Sequence, residues 1–407
     1  MTLERERALR AAVARRRDEL FELAAELVRR PSLLGSEEPA QRHVADWLGH
    51  AGFAVERIEP DAEAALADPY AGYPSLPYEG RSSVVGTSSG AGGGASLHLS
   101  GHVDVVPVER PEEWTHDPWG GEVAEGRLWG RGAGDMKGGL AAYLVAAAAI
   151  LDVLDDRRGD LVVSSVIEEE CGGNGMWSVL RAGHGADGTL IGEPTGLLLA
   201  HAGTGVVWAR LSAQGPSGHA AFAGRDGPFD ELCRAVAAMR RIEAAANQPP
   251  LDPVFAAASD WPYGMTVGRI EGGVWTASSP AELVAHVRIG LGRGVEPADL
   301  QRRIVEQVGA AAPGVEVAFE AFRARAYCHE TSDRLAELLM NAHRRVLGTE
   351  PQTMAFTATT DARQVEGPCL CYGPTASNLH GLDEWVDLES LEQTATVVAV
   401  AAAEWLA

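Results

Sequence analysis

Apolar residues recur at helical spacing near the start of the chain: Leu9, Val13, Leu20, Leu23 and Leu27 form a stripe in a segment otherwise dense in Arg and Glu. The spacing predicts an amphipathic helix over 4–29, closed at Pro31-Ser32, and a second helix over 40–52 closed by Gly52. Residues 61–95 are rich in Gly, Ser and Pro and read as loop. Leu97-His98-Leu99 reads as a short strand entering a turn at Gly101. Leu140–Leu154 is Ala-rich and apolar all round, which predicts a buried helix. Leu161–Ile167 is a continuous β-branched run, the pattern of a strand covered on both faces, and Thr189–Ile191 reads as another strand edge. This alternation points to an α/β layer with a mainly parallel sheet.

The texture changes near residue 202. Val206–Ala213 alternates like a half-exposed strand, 229–246 reads as a helix, and Met265–Ile270 and Glu282–Ile289 read as strands. A helix at 297–309 and a strand at 315–320 follow. That β-α-β-β-α-β order is the ferredoxin-like α+β pattern. From about 326 the alternation resumes, with helices at 331–347 and 389–405. The expectation is an α/β catalytic domain built from 1–201 and 324–407, with an inserted domain at 202–323.

Charge narrows the function classes. With 34 Lys+Arg against 57 Asp+Glu, the net charge is −23, which argues against a nucleic-acid surface. No apolar run approaches the roughly 20 residues of a membrane span, and Met1–Leu20 lacks the apolar core of a secretory signal. Five cysteines without a C-x-x-C pair resemble neither a disulfide framework nor a zinc knuckle. A cytoplasmic protein that binds neither nucleic acid nor membrane is expected.

Candidate chemistry lies in five short motifs at strand ends, where open α/β sheets bind ligands. Gly101-His102-Val103-Asp104 offers an imidazole and a carboxylate two residues on that could fix its tautomer. Gly130–Gly139 is glycine-rich but lacks the P-loop order, leaving Asp135 as the residue its turn would present; a helix N-cap is an equally good reading. Glu168-Glu169-Glu170 sets three carboxylates at the mouth of a buried strand, a costly arrangement without a cation. Glu193 precedes Pro194, and His380 sits in Asn378–Glu384. Each motif is weak alone, because a loop histidine or acidic run is commonly just solvated. Together they suit two divalent ions held by five ligands, one of them a bridging carboxylate. Mixed N/O donors favour zinc, with cobalt or manganese as substitutes.

With these motifs in order from about residue 15 to 400, the chain resembles the M20 metallopeptidases, in particular the acetylornithine deacetylase / succinyl-diaminopimelate desuccinylase branch. The resemblance implies that His102 and Glu193 hold one metal, Glu170 and His380 the other, and that Asp135 bridges them. It implies Glu169 as general base and Asp104 as the acid that orients His102. It makes 202–323 a lid and dimerisation domain, and hence the protein a homodimer. His219 in Gly215–Ala220 would steady the substrate carbonyl, often across the dimer. Arg288 corresponds to a lid arginine, and Thr359-Thr360-Asp361-Ala362-Arg363 to a substrate-contacting turn, with Thr359 and Arg363 as contacts. The implied activity is di-metal hydrolysis of the amide in a small N-acyl amino acid or short peptide. Thr204-Gly205 and Ala277 replace polar residues of that branch, which argues against succinyl-diaminopimelate itself. A dipeptidase or carboxypeptidase on the same scaffold, and a metal-binding dimer without catalysis, remain the alternatives.

Overall fold

In the computed structural model, which describes residues 2–222 and 226–407, the β-branched run becomes Leu161–Val166, buried along its whole length. Its residues alternate between two apolar layers: Leu161 and Val163 join one core, Val162 and Val166 the other. Leu97–His102 lies parallel on one side of it, followed by Gly188–Ile191 and Cys369–Cys371, also parallel. The flanks of this nine-stranded sheet are antiparallel where Ser83–Ser88 and Ala54–Ile58 close one edge and Leu199–Gly203 extends the other. The Ala-rich helix Gly138–Val153 is buried beneath Leu388–Trp405 and the N-terminal helices.

Two expectations change. The long first helix is two, Leu3–Arg15 and Arg17–Val28, broken at Arg16 (φ −95°, ψ 10°), whose guanidinium binds Glu19 and Asp152. The stretch 61–95 is not all loop: it contains the helix Ala62–Ala67 and the interior strand Ser83–Ser88. That strand is half Ser and Gly because Gly86 faces Leu48 and Phe53, where an added Cβ would sit 3.1 Å from both side chains.

The inserted unit is a four-stranded antiparallel sheet in the order Met265–Gly272, Glu282–Leu291, Gly205–Gln214, Val315–Ala324. The helices Pro228–Ala246 and Pro297–Ala311 share its core. Leu199–Gly203 still pairs in the main sheet, so the chain crosses at Thr204 rather than at 202, and it returns after Ala324. Arg323 fastens this lid to the body: its guanidinium donates to the carbonyls of Ala65 (2.6 Å), Asp68 (2.8 Å) and Ala71 (2.6 Å).

A second small sheet was not legible in the pattern. Ala376–Ser377, Trp385–Asp387, Arg127–Trp129 and Glu122–Ala124 pair in that order. It sets the loop carrying His380 beside the loop carrying Asp135.

Candidate active site and metal centre

His102 ends the strand Leu97–His102 at the carboxyl edge of the sheet. Its Nδ1 lies 2.9 Å from the main-chain carbonyl of Asp104, which makes Nδ1 the proton donor and leaves Nε2 facing the site. The Asp104 carboxylate stands 3.7 Å from that nitrogen and accepts instead from the amides of Glu169 (3.1 Å) and Glu170 (3.0 Å). Asp104 thus orients the imidazole through its backbone, while its carboxylate shapes the turn that presents the glutamates. That turn follows Leu161–Val166 and begins with Glu168 at φ 63°.

Asp135 occupies the centre. One oxygen lies 3.3 Å from His102 Nε2 and the other 3.3 Å from His380 Nε2, which is also 3.0 Å from Glu170 Oε1. Ligand atoms of His102, Asp135 and Glu170 fall within 4.8 Å of one another. Glu193 lines the same cavity of about 370 Å³, together with Glu169. Backbone contact sets the spacing between the loops bearing Asp135 and Glu193: a Cβ on Gly139 would lie 1.8 Å from the Gly192 carbonyl oxygen.

The electrostatics report a deficit of positive charge. Burial, and then the facing charge of Asp135, pushes the Glu193 carboxyl up to about 8. Burial, and then Asp361, raises Glu169 well above the carboxylate range. Burial takes Asp104 to about 7 although His102 opposes it. Burial disfavours charge on His380, but its hydrogen bonds to Asp135 and Glu170 prevail and hold it up at about 11. Carboxylates forced together in this way, beside two imidazoles, are the donor set that divalent cations neutralise.

The predicted substrate contacts divide. Arg288 lines the cavity; its guanidinium makes only long contacts to the carbonyls of Gly264 (3.4 Å) and Thr357 (3.3 Å), and it faces no carboxylate among the described residues. Thr359 also lines it, its hydroxyl without a hydrogen-bond partner among the described residues. Arg363 does not. Its guanidinium donates to the carbonyls of Thr360 (2.8 Å) and Gly172 (2.9 Å) and stands 3.6 Å from Glu169 Oε1. Its guanidinium is held between its own turn and the glutamate turn, outside the cavity that Arg288 and Thr359 line. His219 is exposed on the lid, its Nδ1 accepting from the Ala221 amide (3.2 Å), and it is not among the residues lining the cavity. Trp114 and Trp129, between His102 and Asp135, pack rather than line the site: His116 stacks on Trp129 at 4.2 Å and Arg131 lies over Trp114.

Glu384 was missed as a functional residue. Its Oε1 accepts from the amides of Gly132 (3.1 Å), Gly134 (3.0 Å) and Asp135 (3.0 Å), while Oε2 binds Arg131. It lies four residues past His380, so one buried side chain ties the loops of Asp135 and His380 together. Its signal was an acid next to Trp385 in a motif already singled out. Glu384→Ala is expected to destabilise the fold by about 3–5 kcal/mol, since it orphans a buried guanidinium and three amides. Chemical denaturation measures that loss; an unchanged midpoint would contradict it.

Residues 98–404 match the profile of peptidase family M20/M25/M40. The chain belongs to that family. Its members are hydrolases of amide bonds, and so is this protein. It is 30% identical over 401 residues to a succinyl-diaminopimelate desuccinylase of Methylocella silvestris, covering 93% of this chain and 96% of that one. It is 29% identical to one of Cereibacter sphaeroides, covering 91% and 94%. Among solved structures it is similar to human carnosine dipeptidase 1 (TM-score 0.82, 15% identity, 98% and 99% covered). A Bacillus subtilis M20 protein described as a dinuclear metal binding peptidase aligns with TM-score 0.60 at 15% identity, covering 96% and 98%.

Proposed function

We propose that this M20 protein hydrolyses the amide of a small N-acyl amino acid with two divalent metal ions and Glu169 as general base. The observation that carries the proposal is Asp135, whose two oxygens each face a different histidine. In this reading His102 and Glu193 hold one ion, Glu170 and His380 the other, and Asp135 belongs to both. Zinc suits the N/O donors, with cobalt or manganese as substitutes. When bound, such a pair lowers the pKa of a water and polarises the amide carbonyl.

The remaining work falls to the chain. Burial, and then the charge of Asp361, raises the proton affinity of Glu169, so it can take a proton from the attacking water and return it to the departing amine. Arg363 and the Asp104 carboxylate hold its side chain and main chain in place. Arg288 supplies a free cation for a substrate carboxylate. His219 lies outside the cavity of its own chain, which supports the expectation that a second copy provides this group. The lid's edge strand Met265–Gly272, with exposed Ile270, Val274 and Trp275 on and beside it, is the surface through which that copy would dock.

The test is hydrolysis of N-acetyl, N-succinyl, N-formyl and N-carbamoyl amino acids beside dipeptides, before and after metal removal. Acyl amino acids cleaved only by metal-loaded protein, with activity restored by zinc, cobalt or manganese, would support the proposal. Dipeptides preferred throughout would turn it to a dipeptidase. Rates independent of metal would remove it.

A further inference from the structure

The proposed machinery leaves one feature of the cavity unused: an apolar wall set beside the Arg288 cation. Arg288 on Glu282–Leu291 is directly opposite Trp208 on Gly205–Gln214, so the two side chains share one face of the lid sheet. Phe322 comes next, on Val315–Ala324. A bulge between Glu320 and Arg323, with Ala321 at φ 49°, turns it toward Trp208, and the rings meet edge-on at 5.2 Å. A guanidinium and two aromatic rings therefore form a row across three adjacent strands. Val206, Phe356 and Leu379 extend the apolar lining. Among the described lining residues Arg288 is the one permanent cation, and the charged groups across the cavity are the carboxylates Asp135, Glu169, Glu170 and Glu193.

Resting on the amidohydrolase reading, we infer that the substrate carries a single carboxylate, bound by Arg288, and an apolar flank that lies over Trp208 and Phe322. Strands are about 4.8 Å apart, so the apolar group stands roughly 5–10 Å from the carboxylate, the reach of an amino-acid side chain or short acyl chain. A second carboxylate, or a side-chain ammonium, would lose its water against Trp208 and Phe322. The guanidinium behind Phe322, that of Arg363, is turned to the carbonyls of Thr360 and Gly172, and the carboxylates across the cavity are in this reading committed to the two ions and the proton transfer. The site thereby selects apolar N-acyl amino acids over multiply charged substrates such as a succinylated diamino acid.

The experiment compares kcat/KM of the metal-loaded enzyme for N-acetyl-leucine, -methionine and -phenylalanine with N-acetyl-glutamate, N-acetyl-ornithine and N-succinyl-diaminopimelate. The apolar set is expected to lead by about tenfold or more, the discrimination an apolar pocket gives. Trp208→Gln should shrink that ratio chiefly through KM, while Trp208→Leu, which keeps the surface apolar, should retain it. A charged substrate turned over equally well or better overturns the inference while leaving amide hydrolysis standing. If no amide is cleaved, it is the amidohydrolase reading that fails. Binding of N-acetyl-phenylalanine against N-succinyl-diaminopimelate to the metal-loaded Glu169→Gln variant, by calorimetry, then decides the inference: tighter binding of the former upholds it, equal or weaker binding overturns it.

Discussion

Glu169→Gln is expected to lower kcat by about 10²–10⁴-fold with metal content unchanged. The amide keeps the shape of the side chain but cannot carry a proton from water to the leaving amine. Glu169 suits that task because it is buried, Oε1 has no hydrogen-bond partner among the described residues, and burial followed by the charge of Asp361 raises its proton affinity. It lines the cavity without touching either histidine at hydrogen-bond distance, so the loss should fall on kcat rather than on metal binding. Single-turnover rates together with metal stoichiometry make the check. A variant that turns over like the wild type would show that another group moves the proton.

Metal-free protein is expected to lose stability as pH rises from about 5 to 8, and added metal to reverse the trend. Glu193 releases its proton at about 8 in the fold but at 4.5 when unperturbed; Asp104 does so at about 7 against 3.8. Between these limits the folded chain binds more protons than the unfolded one, so unfolding free energy falls with rising pH. Glu168, raised by burial to about 7, and Asp361, raised by burial to about 6, act in the same direction. Above pH 6.5 so does His380, which gives up its proton at about 11. Lys137 opposes them only above about 7, where burial has lowered it from 10.5. Cations require these ligands deprotonated, so binding tightens over the same range and its stabilisation grows. Melting temperatures of chelated and zinc-loaded protein across this pH range measure the effect; parallel curves would count against a metal centre here.

What could be read in the sequence followed from chemistry that repeats locally. Leu161–Val166 announces itself because burial on both faces demands an unbroken apolar run, and the lid's strand-helix order survives in simple alternation. His102, Asp135 and His380 could be singled out as candidates because open α/β sheets bind ligands on turns at strand ends, and such turns carry glycine with acid or imidazole. Ser83–Ser88 was hidden because an interior strand packed against Leu48 and Phe53 needs small residues, which look like loop. Glu384 was hidden for a different reason: most of its partners are main-chain amides far along the chain, and main-chain groups leave no trace in side-chain patterns. The ring of His102 taught the same lesson, since the Asp104 carbonyl, not its acid, holds it.

Gly139 and Gly192 carry the last consequence. The loops that bear Asp135 and Glu193 rest on each other backbone to backbone, so no rotamer change can absorb an added methyl group between them. The gauge of the cation site is therefore written in peptide units, not in its ligands. Exchange of one cation for another of similar size asks little of such a frame, whereas a single carbon at Gly139 would prise its jaws apart.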